Sequence, residues 1–406
     1  MTDMLILNGN LYAGPGCVPV KRDMAVTNGK ITALDKNLSA MAAGKTIDAA
    51  GALIVPPFMD THMHIDKALT MHDDDTPSLI AACDNSDKSS QLYYGWPDER
   101  IYNDIMERAS RIVEMCVANG TQLLRTNLLF TPTWRTLALQ AMNDLKVKYR
   151  GRCVIQNCVA FGEPWREELL TAAKAGQVDV VGGYPHLSPD YRADVDDAFA
   201  LAEKFGLPVD LHCDESDTDN LDCFRYIIQK TEETHMQGRV SCGHVTGLNA
   251  TGMSEKTAAD AIAAAARAEV NVTSLTSCNM YLMNMTRRGP TRVRQLTEAG
   301  VNLAVASDNV RDTFRPFGNC DLLEEALLTA QVHKLSTASW QAETLDMVTW
   351  HAARTALASG YGLAVGCNAD MVILEAATPQ QALLEQAAKQ YVIGNGKIIA
   401  ESGTLV

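Results

Sequence analysis

The sequence predicts an α/β protein: a central (β/α)₈ barrel, with a small β domain built from the two ends of the chain. Three observations point there. The ends carry matched hairpin signals, the middle alternates strand-like with helix-like stretches, and no Gly-x-Gly-x-x-Gly opens a helix to support a dinucleotide fold. The 406 residues are enough for one large domain and a smaller one.

The first 55 or so residues read as β. Leu5-Ile6-Leu7 runs into a turn expected at Asn8-Gly9-Asn10, and Met24-Ala25-Val26 runs into Asn28-Gly29-Lys30 before Ile31 resumes. Asn-Gly between apolar runs is a strong hairpin signal, because both residues tolerate the positive φ of a tight turn. The C-terminus repeats the pattern with Met371–Leu374, Tyr391–Ile393, the turn Asn395-Gly396 and Ile398-Ile399. The two ends are therefore expected to meet as one β-sandwich domain, residues 1–56 with 364–406.

Residues 57–363 form the barrel domain in this reading. Helices are expected over Asp104–Ala118, Thr133–Val147, Asp194–Phe205, Lys256–Ala268 and Leu322–Leu335. Short apolar runs lie between them: Cys153–Ala160, Val178–Val181, Pro208–Leu211, Val240–Cys242, Val270–Ser274 and Leu303–Ala306. Repeated β-then-α implies parallel strands with crossover helices, for which a closed barrel is the first answer and a doubly wound open sheet the second.

Composition narrows the function. Hydrophobic residues make up 47% and charged residues 21%, ordinary globular proportions. A net charge of −14 argues against a nucleic-acid partner, which needs a Lys/Arg field. No apolar run reaches the length of a membrane helix, and no secretory signal is expected at the start. The 11 cysteines form no Cys-x-x-Cys pair, so a zinc ribbon has no support and a reduced, cytoplasmic protein is expected.

In a barrel, residues just after each strand face the active site. After the run that ends at Met59 come His62 and His64, which strand alternation places on one face. His212 follows Pro208–Leu211, His244 follows Val240–Gly243, and Asp308 follows Leu303–Ser307. A lone strand-end histidine is more often structural, and a lone Asp there is more often a helix N-cap. Four of the nine histidines together with one Asp in this pattern point to a metal site.

These landmarks resemble the amidohydrolase superfamily, in particular its cytosine deaminase and N-isopropylammelide isopropyl amidohydrolase branch. The resemblance rests on Pro56-Pro57-Phe58 leading into His62-Met63-His64-Ile65-Asp66, then Val159-Ala160-Phe161 and His212-Cys213-Asp214-Glu215. It continues through Gly243-His244, Ser307-Asp308-Asn309 and Gly366–Val372. It implies a distorted TIM-like (β/α)₈ barrel with a β-sandwich from both termini, and a homo-oligomer. It also implies one divalent ion, Zn²⁺ or Fe²⁺, on His62, His64, His212 and Asp308. Binuclear relatives carry a carbamylated lysine after the run corresponding to Val178–Val181; none follows here, which favours one metal.

The implied catalytic groups are Glu215, His244 and Asp308. Glu215 would protonate a ring nitrogen and shuttle protons to the leaving amine, while His244 orients or deprotonates the water that the ion activates. The expected substrate is a nitrogen heterocycle or cyclic amidine, attacked at a C=N carbon with release of ammonia. Release of an alkylamine from an s-triazine such as N-isopropylammelide and cyclic amide hydrolysis stand beside it, as does a non-catalytic binding protein on the same fold. Glu163 stands where the relatives carry glutamine, and a carboxylate only accepts hydrogen bonds. Cytosine deaminases have a second aspartate at Asn309; the ammelide enzyme has Asn there and matches Lys67. Both departures point away from cytosine itself. Phe314 and Trp165 are candidate walls for a planar ring, Phe161 is more readily core, and His186 sits where it can line the pocket. His72, His235, His333 and His351 have no such placement.

Overall fold

The computed structural model describes residues 2–71, 95–128, 130–282 and 289–406; His72 lies outside them. Strands β1 (Thr2–Leu11), β2 (Val20–Thr27), β3 (Lys30–Asp35), β4 (Ala43–Asp48) and β5 (Leu53–Val55) come first. Eight barrel strands follow: β6 (Phe58–Met63), β7 (Thr121–Asn127), β8 (Val154–Val159), β9 (Val180–Gly183), β10 (Val209–Cys213), β11 (Val240–His244), β12 (Asn271–Ser274) and β13 (Leu303–Val305). The chain ends with β14 (Met371–Leu374), β15 (Lys389–Gly394), β16 (Lys397–Glu401) and β17 (Thr404–Leu405).

The two ends form one nine-stranded sheet, with β5 antiparallel to β14 through Val372–Val55 and Ile373–Ile54. Met4, Ile6, Met24, Val26, Ile54, Met371, Ile373 and Ile393 fill its core. The Asn28-Gly29 and Asn395-Gly396 turns both have paired positive φ, as their residue types require. Asn8-Gly9 is not a turn. β1 runs straight through it, and the register shifts between Ile6 and Gly9 as a bulge. Asp23 Oδ1 accepts the Asn8 amide there, and a Cβ at Gly9 would lie 2.3 Å from Ile54 Cδ1.

β6 to β13 are parallel and in sequence order, with helices on the crossovers. The barrel closes through a bridge between Met63 and Asp308: His64 N donates to Asp308 O at 3.2 Å, and Asp308 N to His62 O at 2.9 Å. The apolar run before His62 is split at Pro56-Pro57, since β5 belongs to the terminal sheet and β6 to the barrel. Helix Tyr191–Phe205 is capped by Asp190, which accepts from Ala193 N, and ends on Gly206 at φ 69°. Helix Asp98–Ala118 begins before the expected Asp104, with Asp98 and Glu99 in its first turn where the dipole favours them. Beneath the strand ends, Arg125 on β7 pairs with Asp210 on β10 at 2.7 Å, both fully buried, and donates also to Gln156 Oε1 and Thr355 O. Among the described residues, no helix is long and apolar enough to cross a membrane.

Candidate metal centre

The strand-end side chains converge. His62 is the penultimate residue of β6, His64 follows the strand, His212 lies in β10, His244 closes β11, and Asp308 lies three residues past β13. His62 Nε2 is 3.1 Å from His212 Nε2, which is in turn 3.3 Å from His64 Nε2. Asp308 Oδ1 stands 3.4 Å from His64 Nε2 and 3.9 Å from His62 Nε2. One N–H on His212 can satisfy one of its two nitrogen neighbours but not both. Nitrogens around a single tetrahedral zinc, with bonds of about 2.0–2.1 Å, are spaced by about 3.3 Å. The spacing fits four ligands of one cation.

Tautomers and charge agree with that fit. The Nδ1–H of His64 donates to Asn127 O at 2.9 Å, which turns its Nε2 lone pair inward. Burial, reinforced by the charge of Lys67, holds the His64 pKa down at about 4. Burial also lowers His62 and His212, so the three rings stay neutral at neutral pH. For Asp308, burial alone would raise the carboxyl, but the surrounding His64, His244 and His62 imidazoles outweigh it and hold the group well below the usual range. Neutral imidazoles and an ionised carboxylate are the states a metal ligand needs.

Local backbone geometry makes this convergence possible. Gly243 lies against the His62 ring, where a Cβ would come within 2.7 Å of Cε1. His244, Val245 and Asp308 have φ of 69°, 48° and 59°, a region that non-glycine residues seldom occupy and β-branched ones avoid. Such outliers cluster at functional sites, where the surrounding structure holds them. Next to the cluster, Glu215 Oε1 is 3.6 Å from His244 Nδ1, and His244 Nε2 is 4.0 Å from Asp308 Oδ2.

The profile described as the Amidohydrolase family matches residues 147–400. The chain belongs to the amidohydrolase family. N-isopropylammelide isopropyl amidohydrolase of Pseudomonas sp. (strain ADP) is 28% identical over 398 residues, which is 95% of this chain and 94% of the relative. Pterin deaminase of Rhizobium rhizogenes (strain K84 / ATCC BAA-868) is 27% identical over 96% of this chain and 91% of its own. The crystal structure of 5-methylcytosine deaminase from Klebsiella pneumoniae, liganded with 5-fluorocytosine, superposes with a TM-score of 0.87 at 26% identity, covering 98% and 97% of the two chains. As a member, the protein is a hydrolase of C–N bonds.

The other expected residues of this amidohydrolase fall into two groups. Lys67 and Asn309 lie close to the histidine–aspartate cluster. The Lys67 ammonium sits 3.7 Å from the Phe314 ring centroid and 3.9 Å from Asp312 Oδ2. Asn309 has both ends of its amide engaged: Nδ2 donates to Asp312 Oδ2 at 2.6 Å, and Oδ1 accepts from the Cys278 thiol at 3.2 Å. One N–H of Asn309 is left for other partners. His186 is tied to β10 itself, its Nδ1–H donating to His212 O at 3.0 Å. Glu163 and Trp165 are different. Glu163 is exposed on the loop after β8, and no described hydrogen bond or ion pair joins it to the cluster. Trp165 is half-buried against Phe130, and Phe161 is core, stacked on Phe205.

Sequence reasoning missed Tyr184, Asn279 and Asp312. Tyr184 directly follows β9, and its ring lies 4.2 Å from the His212 ring. Burial, with Asp66, Cys158, Asp308 and Glu215 nearby, pushes its phenol well up, so it stays neutral. The strand-end rule that found His186 could have found Tyr184. Asn279 is five residues past β12, in the helix Thr276–Leu282, and Nδ2 is 3.0 Å from His244 Nδ1. No strand-end rule reaches that far.

Proposed function

We propose that this amidohydrolase is a mononuclear metal-dependent aminohydrolase that replaces an amino group on a nitrogen-rich ring or cyclic amidine by oxygen and releases ammonia. The observation that carries this reading is the convergence of three neutral histidine nitrogens and one ionised carboxylate beside a second acid and a fourth histidine. His62, His64, His212 and Asp308 would hold one divalent ion, Zn²⁺ or Fe²⁺, since imidazole and carboxylate ligands suit both. The absence of a lysine after Val178–Val181 supports one ion rather than two. When bound, the ion supplies Lewis acidity and brings a water toward ionisation near neutral pH.

The remaining steps belong to the protein's own side chains. His244, with Nε2 facing Asp308, is placed to take a proton from the attacking water. Addition of oxygen to a C=N carbon puts charge on the nitrogen, and Glu215 supplies the proton that neutralises it. The C–N bond then breaks with the amine leaving as a protonated group, since an amide ion is a very poor leaving group. The balance is one water consumed, one C=O formed and one ammonia released. Phe314 offers a flat face and Lys67 a cation to an oxygen-bearing edge of the ring. The activities of the three similar proteins, an ammelide, a pterin and a 5-methylcytosine enzyme, support a heterocyclic substrate.

The test is an ammonia assay on metal-loaded protein against pyrimidines, triazines, pterins and creatinine-like rings. Ammonia release, retained metal and loss of turnover in Glu215→Gln are expected. Ring opening without amine release, or full turnover in Glu215→Gln, sinks the reading. Alkylamine release from an s-triazine is the second reading. Similarity to the N-isopropylammelide enzyme over nearly the whole chain favours it, and assaying isopropylamine as well as ammonia separates the two. A homo-oligomer in the cytoplasm belongs to the same proposal; light scattering checks the assembly.

A further inference from the structure

Asn279 is 1% exposed, and its side-chain nitrogen is placed 3.0 Å from His244 Nδ1 while its Oδ1 is buried with no hydrogen-bond partner. The two ends of a primary amide have nearly the same shape, so the partners decide which end faces which way. With nitrogen toward His244, Nδ1 must be the acceptor and the imidazole proton sits on Nε2. That proton then points at the ligand cluster, where Nε2 lies 4.0 Å from Asp308 Oδ2. The Glu215 carboxylate, 3.6 Å from Nδ1, faces a lone pair, and the Asn279 oxygen stays unpaired in the interior. With oxygen toward His244, two of these contacts are relieved: Asn279 Oδ1 gains a donor and Glu215 Oε1 faces an N–H. The Nε2 lone pair then turns to the cluster, where it can accept a proton.

We propose that Asn279 is a positioning residue: its carbonyl accepts the Nδ1 proton of His244 and fixes the imidazole in the tautomer whose Nε2 lone pair faces Asp308. The inference rests on the proton-accepting role assigned to His244 above, and it adds the residue that makes that role available. It also accounts for a polar side chain buried on a short helix that begins only two residues past β12. The ring nitrogen opposite a functional one sets the tautomer, and such partners are worth about 10- to 100-fold in activity or metal affinity.

The experiment compares wild type, Asn279→Asp and Asn279→Leu. Aspartate keeps an acceptor and removes the donor; leucine keeps the size and removes both. The readouts are the ¹⁵N signals of the His244 ring in metal-free protein, metal content, and kcat and KM of the loaded enzyme. Wild type and Asn279→Asp are expected in the Nδ1–H tautomer, with Asn279→Asp keeping kcat within about fivefold. Asn279→Leu is expected to mix tautomers and to lose about 10- to 100-fold in kcat at nearly constant KM and full metal content. An Nε2–H tautomer in the wild-type spectrum overturns the proposal, as does an Asn279→Asp variant as damaged as Asn279→Leu. The wild-type spectrum needs no activity and no variant, so an unstable Asn279→Leu protein does not shield the proposal. A lost tautomer with unchanged kcat supports the hydrogen bond and overturns the role given to His244 instead.

Discussion

Gly243→Ala separates packing at the metal centre from the usual behaviour of glycine in a strand. Gly243 lies in β11 with its backbone hydrogen-bonded to its neighbours and without a positive φ. By backbone entropy alone, alanine there should stabilise the fold by about 0.4–1 kcal/mol. The structure predicts the opposite. The new Cβ would lie 2.7 Å from His62 Cε1 and 3.0 Å from Nδ1, where carbon contacts are normally about 3.5–4.0 Å, so the ring must move by about 1 Å. His62 is 0% exposed, and its Nε2 already stands 3.1 Å from His212 Nε2. A shift of that size costs about 1–3 kcal/mol in overpacking. It also misplaces one of four proposed ligands, so metal affinity should fall by at least about 10- to 100-fold, the effect of losing a mere supporting contact. Titration of apo protein against a chromophoric chelator, with thermal melting of the apo form alongside, measures both. Wild-type affinity in a folded Gly243→Ala protein refutes the ligand role of His62 or the packing argument. A more stable apo form refutes the packing argument outright.

Three further outcomes are expected. Glu215→Gln should lower kcat by about 10²–10⁴ with metal content unchanged, as elemental analysis and steady-state kinetics will read. Arg125→Leu should destabilise the apo protein by about 3–5 kcal/mol, because Asp210 is left buried and charged; adding Asp210→Leu should recover part of that loss in urea denaturation. Asp346 has its pKa raised to about 7 by burial, while it accepts from Tyr12 Oη and Gly16 N. The folded state therefore holds its proton more tightly than the unfolded one, and this contribution is full below about pH 4 and lost as pH rises through 7. Asp346→Asn removes that dependence, so its stability relative to wild type should rise by about 2–3 kcal/mol between pH 5 and pH 8. An equal difference at both pH values refutes the shift.

The sequence made the ligands legible because each sits at a strand end, where an apolar run stops and a histidine or aspartate follows. Of the proposed ligands, His62, His64, His212 and Asp308 obey that rule, as does His244 beside them. Strand β7 escaped notice because its only apolar residues, Leu123 and Leu124, stand between Thr121-Gln122 and Arg125-Thr126-Asn127, too short an apolar run to read as a buried strand. Its partner Asp210 comes from β10, 85 residues away, so the burial of that arginine is a tertiary fact. Asn8-Gly9 has the residues of a turn, yet pairing with β2 on both sides overrides it. Asn279 and Asp312 act through other side chains and lie past the strand ends, beyond the reach of the pattern. Glu163 shows the reverse: a residue singled out from a landmark run of the sequence, which lies exposed on the loop after β8.

The closure of the barrel and the geometry of the proposed metal centre are one structural problem. The seam between the first and last barrel strands is made by His64 N to Asp308 O and Asp308 N to His62 O. The residues whose side chains meet at the centre thus also supply the backbone bonds that join β6 to β13. Asp308 reaches that register only with a φ of 59°, and strain of this kind costs on the order of 1–3 kcal/mol. The seam holds the strain in place, and the strain turns the carboxylate toward His64 rather than along the strand. Below it, Asp60 accepts from Ser307 N and His62 N, joining the same two strands a second time. Three of the four proposed ligands are therefore fixed relative to one another before any ion arrives. His212 is the exception. It is held instead by the pairing of β10 with β11 opposite Gly243, by the His186 contact to its carbonyl and by the Tyr184 ring against it. If ligand order follows backbone order, weakening the β9–β10 side should release His212 first and leave a three-ligand site at the seam.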